Sequence, residues 1–339
     1  MSAGWKLRRL SAMSPAEAAR RARIALRDRV APPAYVRFSP AAAFERLYGA
    51  GAEDVLRTSR LAKLVHVPAD ARACAPALAA AEALARGRWS LFGHEVALAD
   101  PPDWRANPMT GGRWPDLPSR ALDYRRADSA GGAKYAWEAG RLTMLPVLAL
   151  ASRLPGGAAA GERALRWLED FTDRNPLGRG IHHTSGIEMA VRVLTTAWTL
   201  ALLGERAAAA RVAPALGLLA QQALWCRDHL SLGSSANNHL LSEYAAMAVA
   251  GAAFPALRGA DALLDRALEG LTRETLRQIH EDGVTAEQAF GYQPFVWELL
   301  LCAFVAAEAA GRAVPEAVKR RLAASLEFAR AVRLPDGAT

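Results

Sequence analysis

Amide, imidazole and phenol side chains cluster in two segments of the second half of the chain. Segment 234–239 ends with Asn237, Asn238 and His239, and Tyr292 follows about fifty residues later, behind an Asp-Gly pair at 282–283. Amide and imidazole N–H groups can neutralise a carboxylate, and a phenol can take up or deliver a proton. Residues of these types suit the removal of a proton from a carbon atom that lies beside a carboxylate.

A helix must position the first of these segments. Ser234 and Ser235 are good N-cap residues, and apolar residues follow at helical spacing over 238–253, so the Asn-Asn-His triplet is predicted in the first turn. The N-terminus of a helix favours an anion through its free N–H groups and its dipole. Because asparagine is also an ordinary capping residue, a purely structural role for the triplet stays open at this point.

Composition predicts an all-α domain. The chain has 339 residues, of which 52% are hydrophobic, and Gly or Pro separates segments rich in Ala and Leu, which favours stacked helices. A short hairpin about residue 93 and a long irregular connection over 99–133 interrupt them, and Trp104, Trp114 and Tyr124 in this connection either clamp it onto the helices or offer exposed rings for stacking. Helices are predicted near 14–29, 39–48, 53–64, 74–87, 135–153, 158–173, 185–203, 205–229, 237–253, 258–280, 293–311 and 314–332.

Positive charge is concentrated at the N-terminus. Residues 1–40 hold nine basic and two acidic residues, a net charge of +7 out of +8 for the whole chain. Ser14 as N-cap, Pro15 at the first helical position and Glu17 in the first turn predict a helix start. We expect this basic helix to pack by its apolar side on the domain and to present its charged side to solvent, with contact to an anionic membrane surface or a polyanion as the alternative.

Short motifs in a fixed order carry a resemblance to a known family. None of them is specific alone, but together they resemble, over roughly residues 88–335, the N-terminal domain of the heparinase II/III family of polysaccharide lyases. The motifs are Trp89-Ser90-Leu91-Phe92-Gly93, Asp103-Trp104, Lys134-Tyr135, Trp137-Glu138, Arg141, Asn175-Pro176, Gly180-Ile181, Ser185-Gly186-Ile187-Glu188, Arg192, Asn237-Asn238-His239-Leu240, Phe254-Pro255, Asp282-Gly283-Val284, Glu287-Gln288, Gly291-Tyr292 and Glu298.

The resemblance implies a fold and a reaction. The fold is an incomplete (α/α) toroid over 39–339, preceded by the basic helix and its lead-in over 1–38. In relatives a C-terminal β-sandwich follows, which is absent from this sequence and is an expected partner domain in a longer reading frame; without it we expect weak or no activity. The reaction is β-elimination on a uronate-containing acidic polysaccharide, in which neutralisation of the carboxylate allows the C5 proton to leave.

By position, the resemblance assigns catalytic roles to three residues. Asn238 and His239 would hold the carboxylate, and Tyr292 would move the proton. An ordinary phenol has a pKa of about 10 and is a poor base at neutral pH, so nearby positive charge or concerted proton transfer is required. The residues expected to bind substrate or to supply this charge are Arg141, Lys134, Glu138, Arg179, His182, His183, Arg192, Asn237 and Gln288.

Departures from the family pattern leave other functions open. Gly140 and Leu142 stand where many relatives have an Asn and a His that are expected to touch sugar, and Gln293 replaces a frequent His. A non-catalytic glycan-binding or assembly protein of a capsule or exopolysaccharide system is therefore the main alternative. A uronate C5-epimerase or a hydrolase on the same scaffold is the other.

Further classes of protein are disfavoured by missing patterns. The sequence has no Cys-x-x-Cys or His-Glu-x-x-His spacing, so no metal and no cofactor are expected, and no nucleic-acid motif accompanies the basic residues. Without a visible signal peptide or membrane-spanning run, the expected location is the cytoplasm, with the periplasm as the alternative that family analogy leaves open. Cys74, Cys226 and Cys302 are expected to be buried free thiols.

Overall fold

A computed structural model describes residues 13–66, 74–125 and 130–332. The predicted lead-in over 1–12 and residues 333–339 lie outside the described residues. The described helices are α1 (Pro15–Val30), α2 (Pro40–Leu47), α3 (Ala52–Arg57), α4 (Ala75–Ala85), α5 (Ala133–Gly140), α6 (Met144–Ala151), α7 (Ala158–Arg174), α8 (Gly186–Leu203), α9 (Ala209–Asp228), α10 (Asn238–Ala253), α11 (Ala260–Gln278), α12 (Tyr292–Ala309) and α13 (Glu316–Ala331). Strands β1 (Arg88–Leu91) and β2 (His94–Ala97) pair in an antiparallel hairpin, as predicted.

The helices alternate between an inner and an outer layer. Inner helix α10 packs between α8 and α12, and outer helices α9 and α11 cover it. Because α8 and α10 are surrounded, they are apolar on nearly all sides, and His239 is the one residue of α10 that is not buried. Outer helix α7 instead buries a single stripe that includes Ala164, Leu165, Leu168 and Phe171, the spacing of an amphipathic helix.

The prediction of a single helix over 135–153 is wrong, because the chain leaves the helical conformation at 141–143. Leu142 adopts a left-handed conformation, with φ of 58°, and is fully buried; this conformation costs a non-glycine residue about 1–2 kcal/mol. The break separates α5 from α6 and places Arg141 against α8. The helix predicted over 53–64 likewise ends as α3 at Arg57, and a separate 3₁₀ turn, Leu61–Leu64, follows.

Helix α1 begins as predicted, but the side of the helix that faces the domain is not the expected one. Ser14 caps it by accepting the N–H of Glu17 at 3.2 Å, and Pro15 is its first residue. Apart from the half-buried Ile24, the side chains that face the domain are polar. Leu26 and Val30 are exposed to solvent. The expectation that the apolar side packs on the domain is therefore wrong, because side-chain hydrogen bonds hold the polar side inward.

The long connection is clamped onto the helices by buried aromatic rings. Trp104 and Trp114 are only 2% and 1% exposed, and Nε1 of Trp104 donates to Asp170 at 2.8 Å. The ring of Trp104 also meets Phe171 edge-on. These two tryptophans serve packing and offer no surface on which a sugar ring could stack.

One long apolar helix of the described chain lies inside the fold. The segment Gly186–Arg206, which contains α8, is long and apolar enough to cross a membrane, and 78% of its apolar window is buried. Burial of this extent is typical of the central helix of a folded domain. Of the free cysteines, Cys74 and Cys226 are buried and Cys302 is half-buried.

Candidate active site

Four chain segments meet at one end of the inner helices: the end of α5, the first turns of α8 and α10, and the loop that leads into α12. Arg141 bonds Glu188 in α8, and Asn238 at the start of α10 bonds Glu287 in the loop. His239 lies close enough to Glu188, Glu287 and Arg141 for their charges to act on its pKa. The predicted residues that the structure brings together are Glu138, Arg141, Asn238, His239 and Tyr292.

The start of α10 forms a carboxylate-binding cradle. Asn237 is the N-cap of α10 and accepts the N–H of His239 at 3.2 Å, so an asparagine caps the helix in place of the serines suggested by the sequence. The main-chain N of Asn238 donates to Glu287 Oε1 at 2.9 Å, and its Nδ2 donates to Oε2 at 2.8 Å. Two donors at a helix N-terminus therefore hold both oxygens of one carboxylate.

His239 lies half-buried beside this cradle. Burial lowers the pKa of His239 below its ordinary value; the carboxylates of Glu188 and Glu287 oppose this effect, and the charge of Arg141 adds to it. The imidazole is therefore neutral at neutral pH, with one nitrogen that donates and one that accepts. A neutral imidazole can hold a carboxylate without competing with it for a proton.

Arg141 is the centre of an ion-pair network. Its Nε and Nη2 donate to the two oxygens of Glu188 at 2.8 and 2.9 Å, and its Nη1 donates to Glu138 at 2.6 Å. Burial works against the charged guanidinium, but the carboxylates of Glu188 and Glu138 hold the pKa of Arg141 above its ordinary value. Burial raises the pKa of Glu138, against the effect of Arg141.

The sequence-based site omitted Glu188 and Glu287, although both contact predicted site residues. Glu188 is only 1% exposed within the apolar helix α8. A lone carboxylate in such a helix must find a cationic or hydrogen-bonding partner, and this was the signal available in the sequence. For Glu287, which lies in a loop, the residues alone carried no comparable signal.

Tyr292 opens α12, and its side chain is 48% exposed. It lies close enough to Arg141 for a phenolate charge to raise the pKa of that residue. Tyr292 thus combines access to solvent with a nearby guanidinium.

His182, His183 and Arg192 do not reach the surface of the site. Their exposed fractions are 0%, 6% and 1%, and Arg192 donates to the main-chain oxygens of Gly140 and His182. Burial lowers the pKa of Arg192 to about 9 and that of His183 to about 3. The predicted contact with substrate does not fit these positions, because the three side chains support the wall behind the site.

Gly140 and His182 form one packing unit in that wall. A Cβ atom at position 140 would overlap the ring of His182, whose Nε2 is held by the main-chain oxygen of Trp104 at 2.7 Å. The Asn that many relatives are expected to carry at this position does not fit while His182 keeps its place. The departures at Gly140 and Leu142 therefore alter buried packing.

The remaining predicted residues lie at the margins. Lys134 is exposed, and its charge acts on Glu138; Gln288 is exposed in a left-handed conformation, with φ of 51°. Arg179 is held by Asp116 at 3.2 Å. Across the three described ranges, no group of three or more His, Cys, Asp or Glu side chains is arranged to hold a metal ion.

Comparisons with known proteins agree on the fold. The crystal structure of heparan sulfate lyase HepC from Pedobacter heparinus matches 85% of this chain at 18% identity and a TM-score of 0.59, and the chain covers 45% of that protein. The crystal structure of heparinase III matches 80% of this chain at 18% identity and a TM-score of 0.56, with 40% of that protein covered. This chain therefore spans less than half the length of either lyase. No curated protein sequence matches it.

A family model described as the heparinase II/III N-terminus matches residues 168–339. The match includes the cradle at the start of α10 and Tyr292. Together with the shared fold, it confirms the predicted incomplete (α/α) toroid. The chain therefore belongs to the heparinase II/III family, as its N-terminal helical domain.

Proposed function

We propose that this chain is the helical domain of a lyase that cleaves a uronate-containing acidic polysaccharide by β-elimination. The observation that carries the proposal is the cradle at the start of α10, in which the carboxylate of Glu287 occupies two donors of Asn238. A uronate carries the same group. On this proposal, the substrate carboxylate replaces that of Glu287. The lyases that share the fold support the proposed activity.

The cradle lowers the cost of forming a carbanion next to a carboxylate. When the C5 proton leaves, negative charge moves onto the carboxylate oxygens, where the two donors of Asn238 and the helix N-terminus stabilise it. The neutral imidazole of His239 adds a donor. The Oδ1 of Asn238 is buried without a hydrogen-bond partner among the described residues, and a hydroxyl of the substrate sugar could donate to it.

Tyr292 acts on the proton. Its deprotonated oxygen, close to Arg141, takes the C5 proton as the bond from C4 to O4 breaks, and the electrons of the C5–H bond form the C4–C5 double bond. The departing O4 receives a proton from Tyr292 or from water. The products are a shortened chain with a free hydroxyl and a chain that ends in an unsaturated uronate.

A non-catalytic glycan-binding protein is the second candidate, and the ion-pair network favours it. Glu138 and Glu188 both hold Arg141, and Glu287 lies nearby. Carboxylates around a single guanidinium weaken the positive field available to a phenolate. A protein of this kind would bind the glycan through the same cradle without forming products.

Ultraviolet absorbance during incubation with glycosaminoglycans, alginates and bacterial exopolysaccharides tests the proposal. The assay compares the wild-type chain with Tyr292→Phe and with Tyr135→Phe, a control at a tyrosine outside the proposed chemistry. A lyase produces rising absorbance from unsaturated uronate, which Tyr292→Phe removes and Tyr135→Phe keeps. Binding without absorbance favours the second candidate, and solvent deuterium at C5 without cleavage identifies an epimerase.

A further inference from the structure

The inward face of α1 is occupied by polar contacts. Glu17 accepts from the N–H and Oγ of Ser234 at 3.1 and 2.8 Å. The guanidinium of Arg20 donates to the main-chain oxygens of Leu230 and Leu232 at 3.1 and 3.0 Å. These bonds join α1 to the segment that leads into α10, and they fix which side of α1 faces solvent.

The outward face of α1 carries an apolar stripe. Ala19, Ala22, Leu26 and Val30 are exposed and follow one another at helical spacing, and the exposed Arg23 and Arg29 border them. Leu26 and Val30 are 63% and 73% exposed, more than any other large hydrophobic residue that the structure describes. An exposed apolar stripe of this kind marks a contact surface.

A cavity rich in arginine lies on one flank of this stripe, between α1, the end of α9 and α11. Its volume is about 510 Å³, and Asp228 is the one acidic residue among the described residues that line it. Asp228 is already bonded to Arg227 at 2.7 Å and to the hydroxyl of Tyr35 at 2.9 Å. The arginines that line the cavity are Arg20, Arg23, Arg27, Arg227 and Arg266. Four of these guanidinium groups also donate to the protein, Arg20 and Arg266 to main-chain oxygens, Arg27 to Asp28 and Arg227 to Asp228. Their remaining N–H donors and the excess of positive charge suit a phosphate.

We propose that α1 docks on an anionic lipid surface, with Leu26 and Val30 at the boundary of the acyl chains and a lipid phosphate in the arginine-lined cavity. Charge complementarity selects this occupant. In a symmetric dimer through the same face, the arginines of both copies would repel each other. A polyanionic glycan would pair with the arginines but would leave Leu26 and Val30 in water. An interfacial helix uses both features.

Vesicle sedimentation tests the proposal. The whole chain is mixed with vesicles of phosphatidylcholine alone or of phosphatidylcholine with phosphatidylglycerol. The expected result is binding to the acidic vesicles that is at least about tenfold tighter than to the neutral ones. Leu26→Ser with Val30→Ser and, separately, Arg23→Glu should each weaken that binding by about tenfold.

A matched control is Leu301→Ser with Leu326→Ser, because these leucines are exposed on other helices; this variant should bind as the wild type does. Equal binding to both vesicles, or no binding, overturns the proposal. Binding that the Leu26 and Val30 changes leave intact also overturns it, as does a dimer in solution that the same changes dissociate. Thermal melting of each variant verifies folding. If the Leu26 and Val30 variant does not fold, Arg23→Glu, a single change at an exposed residue, still tests the proposal.

Discussion

The cradle at the start of α10 and the wall behind the start of α8 contain similar side chains in different environments. In the cradle, Asn238 binds a carboxylate and His239 is half-buried. In the wall, His183 and Arg192 are buried, and Arg192 is bonded to main-chain oxygens. Both regions combine imidazole with amide or guanidinium groups near the first turn of an inner helix, so residue type alone does not separate them.

The difference shows what makes such a cluster suitable for binding. Asn238 is itself only 4% exposed, but its partner is the half-buried carboxylate of a loop residue, and movement of that loop would let a substrate carboxylate take the same place. A group bonded to fixed main-chain oxygens cannot exchange these partners without disruption of the fold. Changes in the cradle should therefore alter kinetics, and changes in the wall should alter stability.

Tyr292→Phe should cause the largest kinetic change. Loss of the phenol should lower kcat by about 10³-fold and leave KM nearly unchanged, because only proton transfer is removed. Steady-state absorbance assays measure both constants, with Tyr135→Phe as the control. A Tyr292→Phe variant that keeps wild-type kcat would exclude the proposed role.

Asn238→Ala should lower kcat by about 10²–10³-fold, because a donor to the developing charge is lost. Asn237→Ser is the matched control, since serine can still cap α10, and it should retain most activity. A loss confined to KM would instead mean that Asn238 binds the ground state and the transition state equally well.

Arg192→Met tests the prediction that changes in the wall alter stability. We expect the free energy of unfolding to fall by about 3 kcal/mol, because the buried oxygens of Gly140 and His182 lose their charged donor. The folded protein should keep kcat close to wild type. Chemical denaturation measures the loss, and Arg179→Met, at an exposed ion pair, should cost much less. Normal stability with low kcat would place Arg192 in the reaction.

The wall should also be sensitive to acid. The folded-state pKa of His183, about 3, lies below its ordinary 6.5 because the group is buried beside Arg192. The neutral imidazole therefore contributes to the free energy of unfolding fully above pH 6.5, and this contribution is lost as the pH falls toward 3. At about pH 4.5 the loss should be about 2–3 kcal/mol. Denaturation of wild type and His183→Gln over this range checks the effect; equal slopes would contradict it.

Glu287→Gln should have the smallest effect on kinetics, and whether KM or kcat changes identifies the role of Glu287. If Glu287 occupies the position of the substrate carboxylate, removal of its charge should lower KM by about tenfold with little change in kcat. If Glu287 instead orients Asn238 for catalysis, kcat should fall. Measurement of kcat and KM on a single uronate polysaccharide separates these outcomes.

The layered helices were predictable from sequence because their signals are local. The apolar run over 238–253 and the cap residues around Ser14 each predict an element without reference to distant contacts. The break at Leu142 was not predictable, because a buried leucine with positive φ is imposed by the surrounding packing. The orientation of α1 was missed for the same reason, since it depends on hydrogen bonds to Ser234 and Leu230, far away in sequence.

The candidate site was predictable only as residue types. The resemblance indicated Asn238, His239 and Tyr292, which lie together near Arg141, but it also indicated His182 and His183, which are buried. Burial and partner choice depend on how helices pack, and neither is encoded in a short motif. The same limit explains why Glu287 was absent from the predicted site.

A crystal structure of the Tyr292→Phe variant with a uronate-containing oligosaccharide would show whether the substrate carboxylate binds in the cradle. We expect a uronate carboxylate about 3 Å from the main-chain N and Nδ2 of Asn238, with Glu287 moved away from them. An oligosaccharide bound elsewhere, with Glu287 still paired to Asn238, would contradict the proposed binding mode.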